Sequence, residues 1–138
     1  MVKDNEELIL KSLCHIHVIK NLFSNNYEQF MKDYNSLDGI MFHLIQIGEI
    51  TGKFSPDFCQ KHNDIDFINI KGLRNLVVHD YSGVIYNELF DIVKDDIPKL
   101  ENDYKNILKQ DSNLSNKFIN EYIKYFADNR KFLNDEKI

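Results

Sequence analysis

Residues that staple or punctuate a chain are scarce in this sequence. Its 138 residues include two cysteines, two prolines and five glycines. Cys14 and Cys59 cannot build a disulfide framework and suit a reducing compartment. With so few breakers and no sustained apolar–polar alternation, an all-α chain is expected. No apolar run approaches the roughly 20 residues needed to cross a bilayer, so no membrane partner is expected. The first seven residues are acidic and lack the apolar core of a signal peptide, which predicts a cytoplasmic protein. Internal repeats and low-complexity stretches are also missing.

Positive charge is the other shortage. Lys and Arg total 17 against 22 Asp and Glu, a net charge of −5. Phosphate binding is driven by cations, so this balance argues against tight, indiscriminate RNA binding. It leaves room for a local basic groove from Lys53, Lys61, Lys71 and Arg74, with the acidic surplus elsewhere (Asp95, Asp96, Glu101, Asp103).

What the chain does have is a hydrophobic content of 43%, enough to fill the core of one domain. Helical spacing predicts a first helix over about 5–24, with Ile9, Leu13, Ile16, Ile19 and Phe23 inward. A second is predicted over 27–52, with Leu37, Ile40, Met41, Leu44, Ile45 and Gly48 as its core stripe. Gly48 in that stripe permits close approach of another helix. Ser55-Pro56 starts a short helix, and Asp64 is expected to cap a helix over 65–79. A long helix follows over 86–110, with a kink expected near Lys94 because Pro98 removes a backbone hydrogen bond. The last, over 114–133, carries Leu114, Phe118, Tyr122, Tyr125 and Phe126 on one side. Residues 1–110 are expected to form a helical domain and 111–138 its C-terminal helical extension. Cys14-His15-Ile16-His17 gathers metal-ligand types, but positions one and two apart on a helix diverge. No second pair at zinc-like spacing follows, so packing roles are expected there and no metal.

The richest chemistry lies in Gly72-Leu73-Arg74-Asn75-Leu76-Val77-Val78-His79-Asp80-Tyr81. On a helix, Lys71, Asn75 and His79 form a polar stripe one turn apart. Ile65, Ile70, Leu73, Leu76 and Val77 make a core-facing side, while Phe67, Ile68 and Val78 lie opposite. A helix apolar on two sides is covered on two sides, one by its own core and the other by a second subunit or a ligand. The plainer reading is a surface arginine and a hydrogen-bonded histidine. Glu49, one residue beyond Gly48, is equally a solvated carboxylate or a group that orients Arg74.

Arg74-Asn75, His79-Asp80-Tyr81 and their spacing fit R-x4-H-x-Y, and the chain resembles the HEPN superfamily, more closely its HepT toxins. Ile47-Gly48-Glu49 is similar to that family's "iGEa" turn, and Asp64-Ile65-Asp66-Phe67 to its "dipW". Leu89 to Val93 and Asp95 to Leu100 resemble its "iw.ii..dlP.L" helix. Together these blocks extend the likeness over about residues 5–108. The resemblance implies an antiparallel HEPN-type helical bundle forming a homodimer, with two motif helices facing across a two-fold axis. It also implies a small ribonuclease encoded beside a minimal nucleotidyltransferase antitoxin, MntA, which silences the toxin of this type VII system by transferring AMP to the tyrosine, here Tyr81.

Chemically, such a cleft suits RNA cleavage through the 2′-hydroxyl, with no metal or cofactor required. His79 would act as acid or base, and Arg74 would hold the phosphate. Asn75, Lys71 and Asp80 would support or bind substrate. The alternative is a non-catalytic HEPN binding module that docks a nucleotidyltransferase or a nucleotide. A purely structural bundle would leave these side chains without a shared role.

Overall fold

The computed structural model describes residues 2–75 and 83–129. Among them there is no strand, and the expected all-α bundle is what forms. Helix α1 (Val2–Leu22) is its axis. From Ile9 to Ile19 nearly every position is buried, including Ser12 and His15. A helix buried all round has to be wrapped by others, and α3, α7 and α8, described below, pack on α1.

The expected 27–52 helix is broken. Helix α2 (Tyr27–Lys32) ends and α3 (Tyr34–Thr51) begins at Asp33. The Asp33 carboxylate accepts from the Ser36 hydroxyl at 2.7 Å and the Ser36 N–H at 3.1 Å. An aspartate that caps a new helix competes with continuing the old one. The same bonds from Ser36 hold its carboxyl below the ordinary value. The break turns Phe30 onto Phe23 and Phe90, whose ring centroids lie 5.5 and 5.2 Å away.

Helix α4 (Pro56–Lys61) starts as its sequence predicts, with the Ser55 hydroxyl accepting from the Phe58 N–H at 3.2 Å. Asn5 donates to that hydroxyl at 3.1 Å and ties the start of α1 to this turn. Helix α5 (Phe67–Lys71) follows. Beyond it, α6 (Gly83–Asp91) runs through a π-helical turn, Ile92–Asp96, into α7 (Ile97–Asp111). Where a kink near Lys94 is expected, the structure has this π-helical turn, the Ile97 N–H bonding five residues back to the Ile92 carbonyl. The predicted inner stripe of Leu89, Val93, Ile97, Leu100, Tyr104 and Leu108 is buried throughout.

Helix α8 (Asn116–Asp128) presents a different side from the one expected. Ile119, Ile123 and Ala127 are buried, whereas Phe118 and Tyr125 are exposed and Tyr122 and Phe126 are half-buried. Four-residue spacing puts the three buried side chains in one row. That row meets α1, and the aromatic rings fall along its flank. Among the described residues no helix is long and apolar enough to cross a membrane.

Candidate functional site

The motif limb begins later in register than expected. Asp66, not Asp64, caps α5, its carboxylate accepting from the Asn69 N–H at 3.1 Å. Ile65 is buried just ahead of that cap and anchors the entry. The limb is also interrupted at Gly72, after which residues 73–75 are helical again. The Gly72 N–H bonds to Ile68 and its carbonyl accepts from the Asn75 N–H, both at 3.0 Å. Lys71 and Asn75 are both exposed, but a tightened turn lies between them.

Gly48 is what lets this limb lie against α3. A Cβ placed there would sit 3.2 Å from both the Arg74 nitrogen and the Lys71 carbonyl oxygen, and 3.4 Å from the Arg74 Cβ. The close approach expected at Gly48 is therefore to the backbone of the motif itself. One turn on, the Lys71 stem crosses Gly52, 3.5 Å from where a Cβ there would stand.

That approach brings Glu49 to Arg74. Glu49 Oε1 lies 2.9 Å from Arg74 Nε, with side-chain exposures of 43% and 59%. A pair this open contributes about 0–1 kcal/mol to stability. Its effect is directional, since Nε is fixed by α3 while the guanidinium stands partly in solvent. Glu49, open to two readings, is thus both partly solvated and in contact with Arg74.

The limb's apolar residues divide differently from the expectation. Ile70 and Leu73 pack on the core as predicted, and Ile68 is 85% exposed. Phe67, expected opposite the core, instead rests on Phe54 and Phe58 with centroids 5.6 and 5.9 Å apart. It lies one turn before Ile70 and shares that residue's inward side. Ile68 is thus the described apolar residue facing away. Val78, His79, Asp80 and Tyr81, with Leu76 and Val77, lie outside the described residues.

On the limb's other flank runs a groove of about 570 Å³. Ile65, Ile70, Leu73, Ile97 and Leu100 floor it, and Asp64, Asp66, Asp96 and Asp103 stand around it. Its one lysine, Lys99, pairs with Asp103 at 3.1 Å. Neither Arg74 nor Glu49 lines this groove. Its carboxylates repel phosphate.

Other groups with reactive side chains are occupied by packing. Burial pushes the Cys14 thiol up to about 12, so it is protonated and non-nucleophilic near neutral pH. Burial likewise raises the Tyr104 phenol well above its ordinary value. His15 and His43 lie in the core between α1 and α3, Nδ1 to Nδ1 at 2.8 Å. One ring donates and the other accepts, a pairing across two helices that no local spacing displays. Among the described residues no three His, Cys, Asp or Glu side chains converge as metal ligands would.

An RNase candidate of Caldanaerobacter subterraneus subsp. tengcongensis is 29% identical over 94 residues, 68% of this chain and 84% of the relative. An RNase candidate of Methanocaldococcus jannaschii is 32% identical over 76 residues, 55% of this chain and 70% of the relative. A protein described as a probable ribonuclease HepT, from Thermococcus cleftensis, is 29% identical over 83 residues, 60% of this chain and 76% of its own length. No solved structure gives a significant match. The profile of the Ribonuclease HepT-like family matches residues 13–107, well over half of the chain and inclusive of Glu49 and the whole motif. The chain belongs to the HepT-like ribonuclease family of the HEPN superfamily.

Proposed function

We propose that the protein is a metal-independent endoribonuclease acting as the toxin of a HepT/MntA-type toxin–antitoxin pair. The observation that carries the reading is the Glu49–Arg74 pair, built by the Gly48 contact within the span matched to a ribonuclease family. With Nε held by Glu49, the Nη edge of Arg74 is the one that meets a phosphate and stabilises charge on the pentacoordinate transition state.

The nucleophile is the RNA's own 2′-oxygen. Its proton passes to the imidazole of His79, the 2′-oxygen bonds to phosphorus, and the bond to the 5′-oxygen breaks. An imidazolium, that of the partner subunit's His79, protonates the leaving oxygen. An imidazole of ordinary pKa near 6.5 serves in either state close to neutrality. The products are a 2′,3′-cyclic phosphate and a 5′-hydroxyl. Asn75, Lys71 and Asp80 position the substrate. A two-fold axis sets each residue opposite its own copy, so a homodimer supplies both imidazoles in one cleft. The exposed Ile68 supports such a dimer.

Silencing is by the MntA-like nucleotidyltransferase. The Tyr81 oxygen attacks the α-phosphate of ATP, pyrophosphate leaves, and AMP remains on the phenol. The new phosphate pairs with Arg74 and occupies the position of the RNA phosphate. Co-expression with the neighbouring nucleotidyltransferase should add AMP to the Tyr81 peptide, and Tyr81→Phe should escape both modification and neutralisation. Purified protein should cleave RNA in EDTA and leave cyclic phosphate ends. Loss of cleavage in EDTA, or AMP on Tyr86 with Tyr81 untouched in the silenced protein, would overturn these assignments.

A further inference from the structure

Helix α3 carries a second feature beside Glu49. Phe42 is 45% exposed although it belongs to a helix whose other side is core. Helical spacing puts positions 42, 46 and 49 of α3 on one narrow face, and position 53, just past the helix end, continues it. That face is Phe42, the half-buried amide Gln46, Glu49 and the exposed Lys53. Phe42 lies seven residues before Glu49, about 10 Å along the axis. The Phe42 ring packs T-shaped with the buried His43, with centroids 5.1 Å apart and planes at 83°. An aromatic ring, an amide, the ion-paired arginine and a lysine thus stand in a row on the flank away from the acidic groove.

We propose that Phe42 is the stacking platform for a base next to the phosphate held by Arg74. The outer face of α3 is then the track on which single-stranded RNA lies. A face of a flat aromatic ring takes any base, because every base has a π-face, and recognition of single strands uses such rings. Gln46, between ring and ion pair, can offer its amide to the edge of that base. Lys53 continues the track with a cation. Duplex RNA is excluded from this arrangement, since its bases are already stacked. The inference rests on the proposed ribonuclease reading and adds its substrate class.

The chain contains no tryptophan, so Phe42→Trp introduces a single reporter at the platform. Its emission should be quenched by a single-stranded 2′-O-methyl oligonucleotide, which cannot undergo 2′-hydroxyl attack. A duplex of the same sequence should leave it unchanged. Phe118→Trp gives the same reporter on α8 and should not respond. Phe42→Ala should raise KM for a single-stranded RNA about tenfold, the scale of one lost base stack, with kcat nearly unchanged. Phe42→Trp should retain the wild-type KM.

Unquenched emission from Phe42→Trp together with an unchanged KM in Phe42→Ala overturns the platform. So does emission that follows protein concentration rather than RNA, with Phe42→Ala sedimenting as a lighter species, because Phe42 then belongs to a subunit interface. Quenching without cleavage by the wild type retains the RNA track and removes the ribonuclease reading. Cleavage with neither quenching nor a KM change does the reverse.

Discussion

The two flanks of the short limb from Asp64 to Asn75 are built for opposite charges. One flank presents Lys71, Arg74 and Asn75 to solvent beside Glu49. The other forms an apolar groove ringed by Asp64, Asp66, Asp96 and Asp103. By size alone the groove would be the binding site, since large apolar concavities are the usual place for ligands. Charge reverses that ranking for a phosphodiester. On the proposed reading, a single arginine aimed through Nε needs a surface rather than a cavity. On that reading, an acidic protein with net charge −5 keeps anion chemistry on one face of one short limb.

The largest contrast between the flanks should come from Arg74. Arg74→Ala is expected to lower kcat/KM for RNA by about 100-fold or more, the scale for losing a charged donor at a transition state. Asp96→Ala should stay within about twofold of wild type, because a carboxylate across the limb acts only through its screened field. Steady-state cleavage of a fluorescent RNA measures both, and equal losses would end the distinction. His79→Ala should match Arg74→Ala while retaining the wild-type circular dichroism.

Next in size is the contact that joins the limb to α3. Gly48→Val adds branched carbons at a position whose Cβ alone would lie 3.2 Å from the Arg74 nitrogen and the Lys71 carbonyl oxygen. Overpacking of this kind costs about 1–3 kcal/mol, read as a lower Tm. Cleavage should fall with it by more than about tenfold, because Glu49 no longer meets Arg74 and its aim on the transition state is lost. Full activity in a destabilised Gly48→Val would mean that the approach serves packing alone.

Much of this architecture is legible in the sequence, and the exceptions share a cause. The inner stripes of α1, α3 and α7 follow from regular spacing of branched apolar residues, and Ser55 and Pro98 act through backbone chemistry that is local. The break at Asp33 is hidden because neither Pro nor Gly marks it; a carboxylate finding Ser36 suffices. On α8 the aromatic residues attract attention by size, but Ile119, Ile123 and Ala127 hold the row that meets α1. Treating 65–79 as one uninterrupted helix turns Phe67 away from the core, and the late start of α5 turns it back. At the site, Arg74 and Glu49 are visible as residues, whereas their contact depends on how α5 crosses α3. Only tertiary packing decides that.

The proposed homodimer predicts an intermediate effect. Ile68→Glu puts a charge at the most exposed large apolar side chain of the limb. It should shift sedimentation towards monomer and lower cleavage, with Tm little changed because the residue already faces solvent within its own chain. Phe67→Asp, which strikes the Phe54–Phe58 cluster, should instead lower Tm. A wild type that sediments as a monomer at micromolar concentration would refute the shared cleft. Glu49→Ala should cost about tenfold in kcat/KM, most of it recovered in Glu49→Gln, whose amide oxygen still accepts from Nε. Stability should move by less than about 1 kcal/mol in either, so a large drop in Tm would assign Glu49 to folding.

The smallest expected effect tests the acidic flank. Asp66 caps α5 and Asp103 pairs with Lys99, so both have local work. Asp96 makes no side-chain capping bond to α7, and Asp64 stands outside the cap it was expected to provide. Asp64→Asn with Asp96→Asn therefore removes two charges from the groove while sparing its frame. If the groove acts on RNA only through its field, that double variant should bind the 2′-O-methyl oligonucleotide slightly more tightly, by about two- to threefold at low salt. At physiological ionic strength the Debye length is about 8 Å, and the gain should vanish because the carboxylates act from across the limb. Salt-resolved titration of the wild type and the double variant decides the point. Weaker binding in the variant, or a gain that survives at high salt, would place RNA in the groove itself and overturn the division between the two flanks.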